Sequence, residues 1–218
     1  MGDNTIFGTT APIKGFRYRF EAGRYFGSTS YTNILVDARK YQYVKPFTIA
    51  GRFLYNGRLN ASNLGYLNQI NQLYLGFPWN MHGFYGSALQ KQQNLGLITQ
   101  EALQGEQLLV TNVEVRLPLT GPKKLALIDF SYVPSDFNFF FDSGMVWSAN
   151  RKIGVLQEYQ TQNETSIKLK VEPMVITGFS LRINLMGYLI VEPYLALPIY
   201  NGKLQNMVSG VNLLIPGW

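Results

Sequence analysis

The sequence contains no cysteine and a single histidine. Without cysteine no disulfide can stabilise the fold, and no thiolate can bind a metal or attack a substrate. One histidine leaves a metal without its usual set of nitrogen and sulfur ligands. We therefore expect no metal site, no cofactor and a fold held by packing, hydrogen bonds and ion pairs alone.

Long hydrophobic runs are absent as well. No stretch approaches the roughly 20 apolar residues that a membrane-spanning helix needs, so helical spans are excluded. The start, Met1-Gly2-Asp3-Asn4, lacks the basic region and the apolar core of a signal peptide. We expect a mature or truncated chain with an added Met, which leaves an exported native protein open.

Charge is sparse, at 15% of residues, and the net charge of +6 comes from basic residues that stand singly or in pairs. Nucleic-acid binding is not expected, because that function needs a basic patch or stripe. The 14 Tyr, 14 Phe and 21 Gly are typical of many short strands joined by turns. We predict one all-β domain over residues 1–218.

Apolar and polar residues alternate with period two in segments of about ten residues. A tilted strand needs about this length to cross a bilayer. In Phe16–Glu21, for example, aromatic side chains take one face and charged side chains the other. We predict about eight strands from this pattern. They are Phe16–Glu21, Asn33–Val44, Phe47–Asn56, Leu109–Leu119, Phe137–Trp147, Val175–Asn184, Leu189–Leu197 and a last strand ending at Trp218.

In three segments between these strands, apolar and polar residues do not alternate clearly. Residues from Leu59 to about Gln104 are rich in Asn, Gln and Gly, and we predict one long loop there. A second polar loop is predicted at Asn150–Thr165. Leu125–Tyr132 is assigned as an extension of the preceding hairpin.

Alternation alone does not separate a soluble sandwich from a membrane barrel. Long strands with aromatic ends, unequal loops and arginine-rich polar faces favour a transmembrane antiparallel β-barrel, with charges inward and apolar faces toward lipid. The Tyr and Trp residues could stack on sugars or bases, but interfacial girdles explain them without a ligand. The inward charges would pair across strands; they are Arg17, Arg19, Arg39, Arg52, Arg116 and Arg182 with Glu21, Asp37, Glu114, Asp142 and Glu192.

Four motifs occur in a specific order. Leu75–Phe84, which contains Met81-His82-Gly83-Phe84, resembles the VRGF/Y loop signature of the BamA-type outer-membrane assembly and secretion barrels, or bacterial surface antigens. Asn112–Leu119, with Glu114 and Arg116, resembles that family's E-x-R-x-P-L strand. Phe140–Trp147, with Phe140, Asp142 and Gly144, resembles its F-x-D-x-G strand, and Trp218 stands where the family ends in an aromatic signal.

The resemblance implies that the long loop folds into the lumen and that its motif residue contacts the acidic residue of the strand motif. Here the match places His82 against Asp142, where the family has arginine. Since histidine lacks a permanently charged bidentate fork, we expect the contact between the loop motif and the strand motif, which we call the lock, to be weaker or sensitive to pH. A purely structural role for Asp142, with Arg116 as its partner, stays open.

Family barrels have sixteen strands, and this chain matches only the last eight. Two unpaired edges in lipid are prohibitive, so the chain must either close on itself or form a larger barrel with a second copy, as a homodimer. Eight strands leave little room in the lumen for the long loop.

The resemblance further implies a bacterial outer-membrane location, a lipid bilayer as partner and client proteins or lipids that are inserted or exported without covalent chemistry. A passive structural or pore-forming barrel is the first alternative. An outer-membrane lipid hydrolase built on His82 is the second. It is disfavoured because Asp142 and Ser143 are adjacent on a strand and point to opposite faces, so we expect no catalytic residue.

Overall fold

The computed structural model describes residues 1–27, 30–60, 72–149, 151–160, 166–200 and 202–215. Within these ranges, no helix combines the length and apolar character needed to cross a membrane. Strands dominate the described chain, as the aromatic and glycine content predicts.

Eight long strands form the framework of one antiparallel sheet. They are β1 (Pro12–Tyr25), β2 (Tyr31–Val44), β3 (Phe47–Leu59), β4 (Gln107–Gly121), β5 (Ser135–Trp147), β6 (Met174–Leu185), β7 (Leu189–Tyr200) and β8 (Val208–Leu214). Each predicted strand is present, and most extend beyond their predicted ends. The last strand ends at Leu214, whereas its predicted end at Trp218 lies outside the described residues.

The long strands pair in chain order, each with the next. Short strands at Gly2–Asp3 and Ile6–Phe7 pair with β1. Lys203–Leu204 pairs with the end of β7. Over the described ranges no ladder joins β1 to β8, so the sheet is open there. The all-β, antiparallel prediction is confirmed, whereas closure into a barrel is not observed.

The two faces of the sheet differ in polarity. On β5 the buried positions include Asn138 and Asp142, while the alternate positions carry exposed phenylalanines. The same outer face carries large exposed apolar side chains on all eight long strands, with Val44 on β2. The others are Phe16, Tyr18, Phe20, Phe47, Ile49, Phe53, Val113, Val115, Phe137, Phe139, Phe141, Phe179, Leu195, Val211 and Leu213. The polar face is therefore the buried one.

The predicted long loop, residues 59–104, contains regular structure in its described part. Leu73–Tyr74 pairs with Gln104–Gly105 and closes the base of the segment. Between them lie the helix α1 (Gly86–Asn94) and a 3-10 turn at Glu101–Leu103. The helix buries Ala88, Leu89 and Gln92, so it folds because of its contacts with the sheet.

Two loop predictions are wrong in part. Asn150–Thr165 is not a simple polar loop, because Leu156–Gln160 pairs with Ser166–Lys170 in a separate hairpin. Leu125–Tyr132 does not extend an antiparallel hairpin either. Its Ile128–Asp129 pairs with the end of β4 in parallel, which a direct hairpin extension cannot do.

The N-terminal segment crosses the inner face at one end of the sheet. The hydroxyls of Thr9 and Thr10 donate to the buried carboxylate of Asp136 on β5. Asn184 of β6 donates to the Thr9 carbonyl at 3.1 Å, and Arg116 of β4 to the Pro12 carbonyl at 3.3 Å. Residues far apart in the chain are thereby joined.

Candidate functional site

The segment 72–106 packs against the inner face of the sheet. Its side chains Leu75, Phe84 and Leu103 have no exposed surface and join one core with Phe140 and Ile176 of the strands. Tyr74 donates its hydroxyl proton to the Phe84 carbonyl at 2.8 Å. The segment is therefore a packed part of the interior, and we call it the inner loop.

The four loop-motif residues sit where the inner loop meets the strands. Met81 and Phe84 are buried in the core. Gly83 has a φ of +75°, and a Cβ at this position would collide with the Ile176 side chain. Glycine is required there both for the backbone conformation and for the close approach of loop and sheet.

The strand motif supplies the matching surface on β5. Gly144 leaves room for the loop, since a Cβ there would lie 2.6 Å from Leu75 Cδ1 and would also meet the sulfur of Met81. Phe140 stacks on the His82 ring with centroids 3.8 Å apart. The structure thus brings the loop motif and the strand motif into direct contact.

His82 binds two carboxylates. Its Nδ1 lies 2.7 Å from Asp142 Oδ2, its backbone N–H donates to the same oxygen at 3.1 Å, and its Nε2 lies 3.3 Å from Glu192 Oε2 on β7. Asn112 donates to Asp142 Oδ1 at 2.8 Å. Tyr194 presents its hydroxyl oxygen to the Gly83 N–H at 3.3 Å.

The ion pairs continue from Glu192 into the interior. Arg182 places Nε 2.7 Å from Glu192 Oε1 and two further nitrogens 2.8 and 2.9 Å from the carboxylate of Glu114. Arg116 adds a contact of 2.7 Å between its Nε and Glu114 Oε2. The result is a row of alternating charge, which we call the charge chain: Asp142, His82, Glu192, Arg182, Glu114 and Arg116.

The charge chain requires a protonated His82. Burial alone would lower the pKa of this imidazole, but the carboxylates of Glu192 and Asp142 outweigh burial and raise the pKa to about 10. Tyr194, packed edge-on against the ring, is the remaining titratable neighbour. With both ring nitrogens donating to carboxylates, the positive and negative charges of the charge chain balance, and each charged group has an oppositely charged partner.

The stability of the inner loop should therefore depend on pH. The pKa of His82 rises from about 6.5 in the unfolded chain to about 10 in the fold. A raised folded pKa means that the stabilisation is complete below the unfolded value and is lost as pH rises through the folded value. We expect the free energy of unfolding to fall between about pH 6.5 and about pH 10 in urea titrations of the refolded protein.

Two variants at position 82 control this measurement. His82→Arg keeps a permanent charge and should flatten the dependence on pH across that window. His82→Gln removes the charge, so its stability should converge with that of the unaltered protein at the alkaline end. Parallel pH profiles for all three proteins would show that His82 carries no charge in the fold.

The other predicted residues have different positions. Arg116 does not contact Asp142 and pairs instead with Glu114, so the proposed Asp142–Arg116 partnership is wrong. Arg19 and Glu21 face each other near the surface, with side chains about half exposed. Trp218 lies outside the described residues.

Sequence reasoning placed Glu192 among the inward charges, but it did not predict that Glu192 or Tyr194 would contact the loop motif. Both belong to β7, where Glu192, Tyr194 and Ala196 alternate on the buried face. The position of the acidic Glu192 on the buried face of β7 indicates that it has a partner in the interior. Its distance of 110 positions from His82 hid which partner it takes.

The arrangement suits a structural lock better than acid–base chemistry. Both nitrogens of the buried imidazole are engaged by carboxylates, so neither is oriented toward a substrate. Among the residues that the structure describes, no group of three His, Cys, Asp or Glu side chains could hold a metal ion.

Comparisons with known proteins add no relative to this picture. No protein-family model matches the chain, and neither a curated protein nor a solved structure is similar to it at a significant level. The resemblance to the BamA-type barrels accordingly stays a prediction based on motifs, and the inner loop with its charge chain is described by its own geometry.

Proposed function

We propose that this chain is a membrane-embedded β-barrel module of the bacterial outer membrane, similar to the BamA-type barrels, which helps to insert or export proteins or lipid without covalent chemistry. The observation that carries the proposal is the polarity of the sheet. Its outer face exposes large apolar side chains while its inner face buries ion pairs. This arrangement is unfavourable in water and stable in lipid.

The inner loop supports the functional half of the proposal. It packs against the inner face of the sheet and is held by the charge chain at the contact of the two motifs. A loop fixed to the strands through ion pairs can transmit a change at its lock to the sheet. A passive open pore has no use for such a loop, so we rank that alternative second.

The open edges of the sheet support a labile seam, meaning a junction between two edge strands that can open. In lipid, the edge of β8 and the part of the β1 edge that the short N-terminal strands leave unpaired must find partners, because unsatisfied backbone groups are too costly there. The partner is either the opposite edge of the same chain or the edges of a second copy, and the space that the packed inner loop takes up on the inner face favours the second copy. The mass of the detergent-solubilised protein distinguishes the two closures.

The lipid-facing orientation is tested by placing a charge on the outer face. Phe139 lies in the middle of β5 and is 42% exposed. We expect Phe139→Arg to destabilise the protein refolded in vesicles by roughly 2–4 kcal/mol, the usual effect of arginine near the middle of a bilayer. The measurement is urea unfolding from phospholipid vesicles.

Leu127→Arg is the matched control. Leu127 is 60% exposed but lies outside the long strands, in the connection between β4 and β5. The same change there should leave stability nearly unaltered, within about 0.5 kcal/mol. If Phe139→Arg were equally neutral, or if the unaltered protein stayed folded and dispersed without detergent, the membrane proposal would be wrong.

A further inference from the structure

The N-terminal residues of the chain lie along the edge of β1. Gly2–Asp3 and Ile6–Phe7 pair with the first half of β1, between Pro12 and Tyr18. We call residues 2–7 the edge segment. At the opposite end of the strand order, β8 pairs with β7 and with no other strand of the described chain.

The edge segment takes the position on β1 that β8 needs for closure of the sheet. Each long strand is antiparallel to the next, so β8 runs antiparallel to β1. The edge segment is antiparallel to β1 as well, so it runs in the same direction as β8. Beside the edge segment β8 would pair in parallel, whereas transmembrane barrels are antiparallel throughout. Antiparallel pairing of β8 with this half of β1 therefore requires that the edge segment leaves.

β8 and the edge segment also belong to the same end of the sheet. β8 pairs with Ile190–Ala196, the first part of β7. β1 and β7 run in the same direction, so their first halves lie at the same end. The edge segment pairs with the first half of β1. The two segments accordingly compete for one span of the β1 edge.

The edge segment is held less firmly than the turn that follows it. In the turn, Thr9 and Thr10 are buried, and both hydroxyls donate to Asp136 of β5. In the edge segment, Ile6 and Phe7 are more than half exposed, and the register with β1 shifts between them. The edge segment can therefore detach while the turn keeps the chain fixed to the interior.

A side chain replaces part of the backbone ladder between the edge segment and β1. The Phe16 N–H donates to Asn4 Oδ1 at 2.7 Å, and the Asn4 N–H donates to the Phe16 carbonyl at 3.1 Å. The Asp3 carboxylate accepts from the N–H and the hydroxyl of Thr5, inside the same segment, and lies 3.6 Å from Arg17 at the surface. Asn4 is thus a contact with β1 that one substitution weakens.

We propose that the edge segment masks a docking edge for a second copy of this chain, and that β8 of the second copy displaces residues 2–7 and pairs with β1. A strand edge recognises another strand through backbone hydrogen bonds, which the vacated half of β1 would offer. This inference rests on the proposed closure by a second copy and adds the exchange that makes the edge available. In the single chain, the same segment protects β1 from pairing with other strands.

A disulfide that holds the edge segment in place tests the exchange. Asp3 and Arg17 are direct cross-strand partners in a chain without cysteine, so Asp3→Cys with Arg17→Cys should form one defined disulfide. In detergent, light scattering should give the mass of a monomer for the oxidised variant and twice that mass after reduction. The proposal is overturned by a monomeric unaltered protein, or by an oxidised dimer whose disulfide a non-reducing gel shows to lie within one chain.

Ala22→Cys with Ile34→Cys is the matched control. These residues are cross-strand partners on β1 and β2, which stay paired whether or not the edge segment leaves. The oxidised and the reduced control should therefore both be dimers. Loss of the dimer in the oxidised control would trace the effect to oxidation rather than to the edge segment, and the proposal would be wrong.

Asn4→Ala should act in the opposite direction. Without the hydrogen bond to Phe16 the edge segment is easier to displace, so the dissociation constant of the dimer should fall about fivefold, the usual effect of one hydrogen bond. Thr5→Ala should leave that constant unchanged, because the Thr5 hydroxyl bonds within the edge segment. Dilution in detergent, followed by light scattering, measures both. Weaker dimerisation of Asn4→Ala would contradict the exchange.

The failure of this inference is distinguishable from failure of the proposed function. Unaltered protein that does not enter phosphatidylcholine vesicles would contradict the membrane proposal, while the masses in detergent would still decide the exchange. Protein that enters the vesicles, but whose oxidised Asp3→Cys and Arg17→Cys variant remains a dimer, would contradict the exchange alone.

Discussion

Glu192→Gln should destabilise the fold by about 3–5 kcal/mol, the usual effect of removing one partner from a buried ion pair. Glu192 has no exposed surface and binds both His82 and Arg182. Without its charge the buried cations outnumber the buried anions of the charge chain, and no water can compensate them. Urea unfolding of the refolded protein measures the loss.

Glu21→Gln is the matched control on the same inner side of the strands. Glu21 pairs with Arg19 at 2.6 Å, but both side chains are about half exposed. Solvent screens such a pair, so this change should reduce stability by less than about 1 kcal/mol. Equal effects of the two substitutions would mean that Glu192 is hydrated and that the charge chain does not hold the interior together.

A double variant separates charge balance from packing. Glu192→Gln combined with Arg182→Met leaves Asp142 with His82 and Glu114 with Arg116, so charge balance returns. The double variant should be more stable than the sum of the two single losses predicts, because the two residues interact directly. Strict additivity would indicate that each residue acts alone.

The strands of this fold could be predicted from sequence because their signal is local. A sheet with one apolar and one polar face forces period-two alternation on each strand, as in Phe137–Trp147. The hairpin at 156–170 carries the same signal, with Ile167 and Leu169 alternating with lysines, but its polar surroundings obscured it. The helix α1 has no comparable local signal, since contacts with the sheet determine it.

The site could be predicted only where sequence motifs specify both partners. The match of two motifs placed His82 against Asp142, and the two side chains lie 2.7 Å apart. Glu192 completes the site from a strand with no recognisable motif, so only the pairing of β6 with β7 and the fold of the inner loop bring it there.

Phe140→Ala should cost about 3–5 kcal/mol, as expected for emptying a fully buried aromatic site. Phe140 has no exposed surface, stacks on His82 and lies over Gly178, where a Cβ would come within 2.9 Å of its ring. The cavity left behind would let the His82 ring move away from its carboxylates. Phe140→Ala should therefore lower the free energy of unfolding in urea and, in the same variant, remove the dependence of that free energy on pH that His82 causes.

Phe139→Ala, one residue earlier on the same strand, provides the control. Phe139 points to the outer face and contacts Phe179 with ring centroids 5.3 Å apart. Lipid can refill the space that it leaves, so the loss should be about 1 kcal/mol, the value of one aromatic pair, with the pH profile unchanged. Two adjacent phenylalanines would then differ severalfold in effect, because one supports the lock between loop and sheet and the other meets the surroundings of the sheet. Equal losses would place both rings in similar environments and contradict the inward packing of the F-x-D-x-G motif.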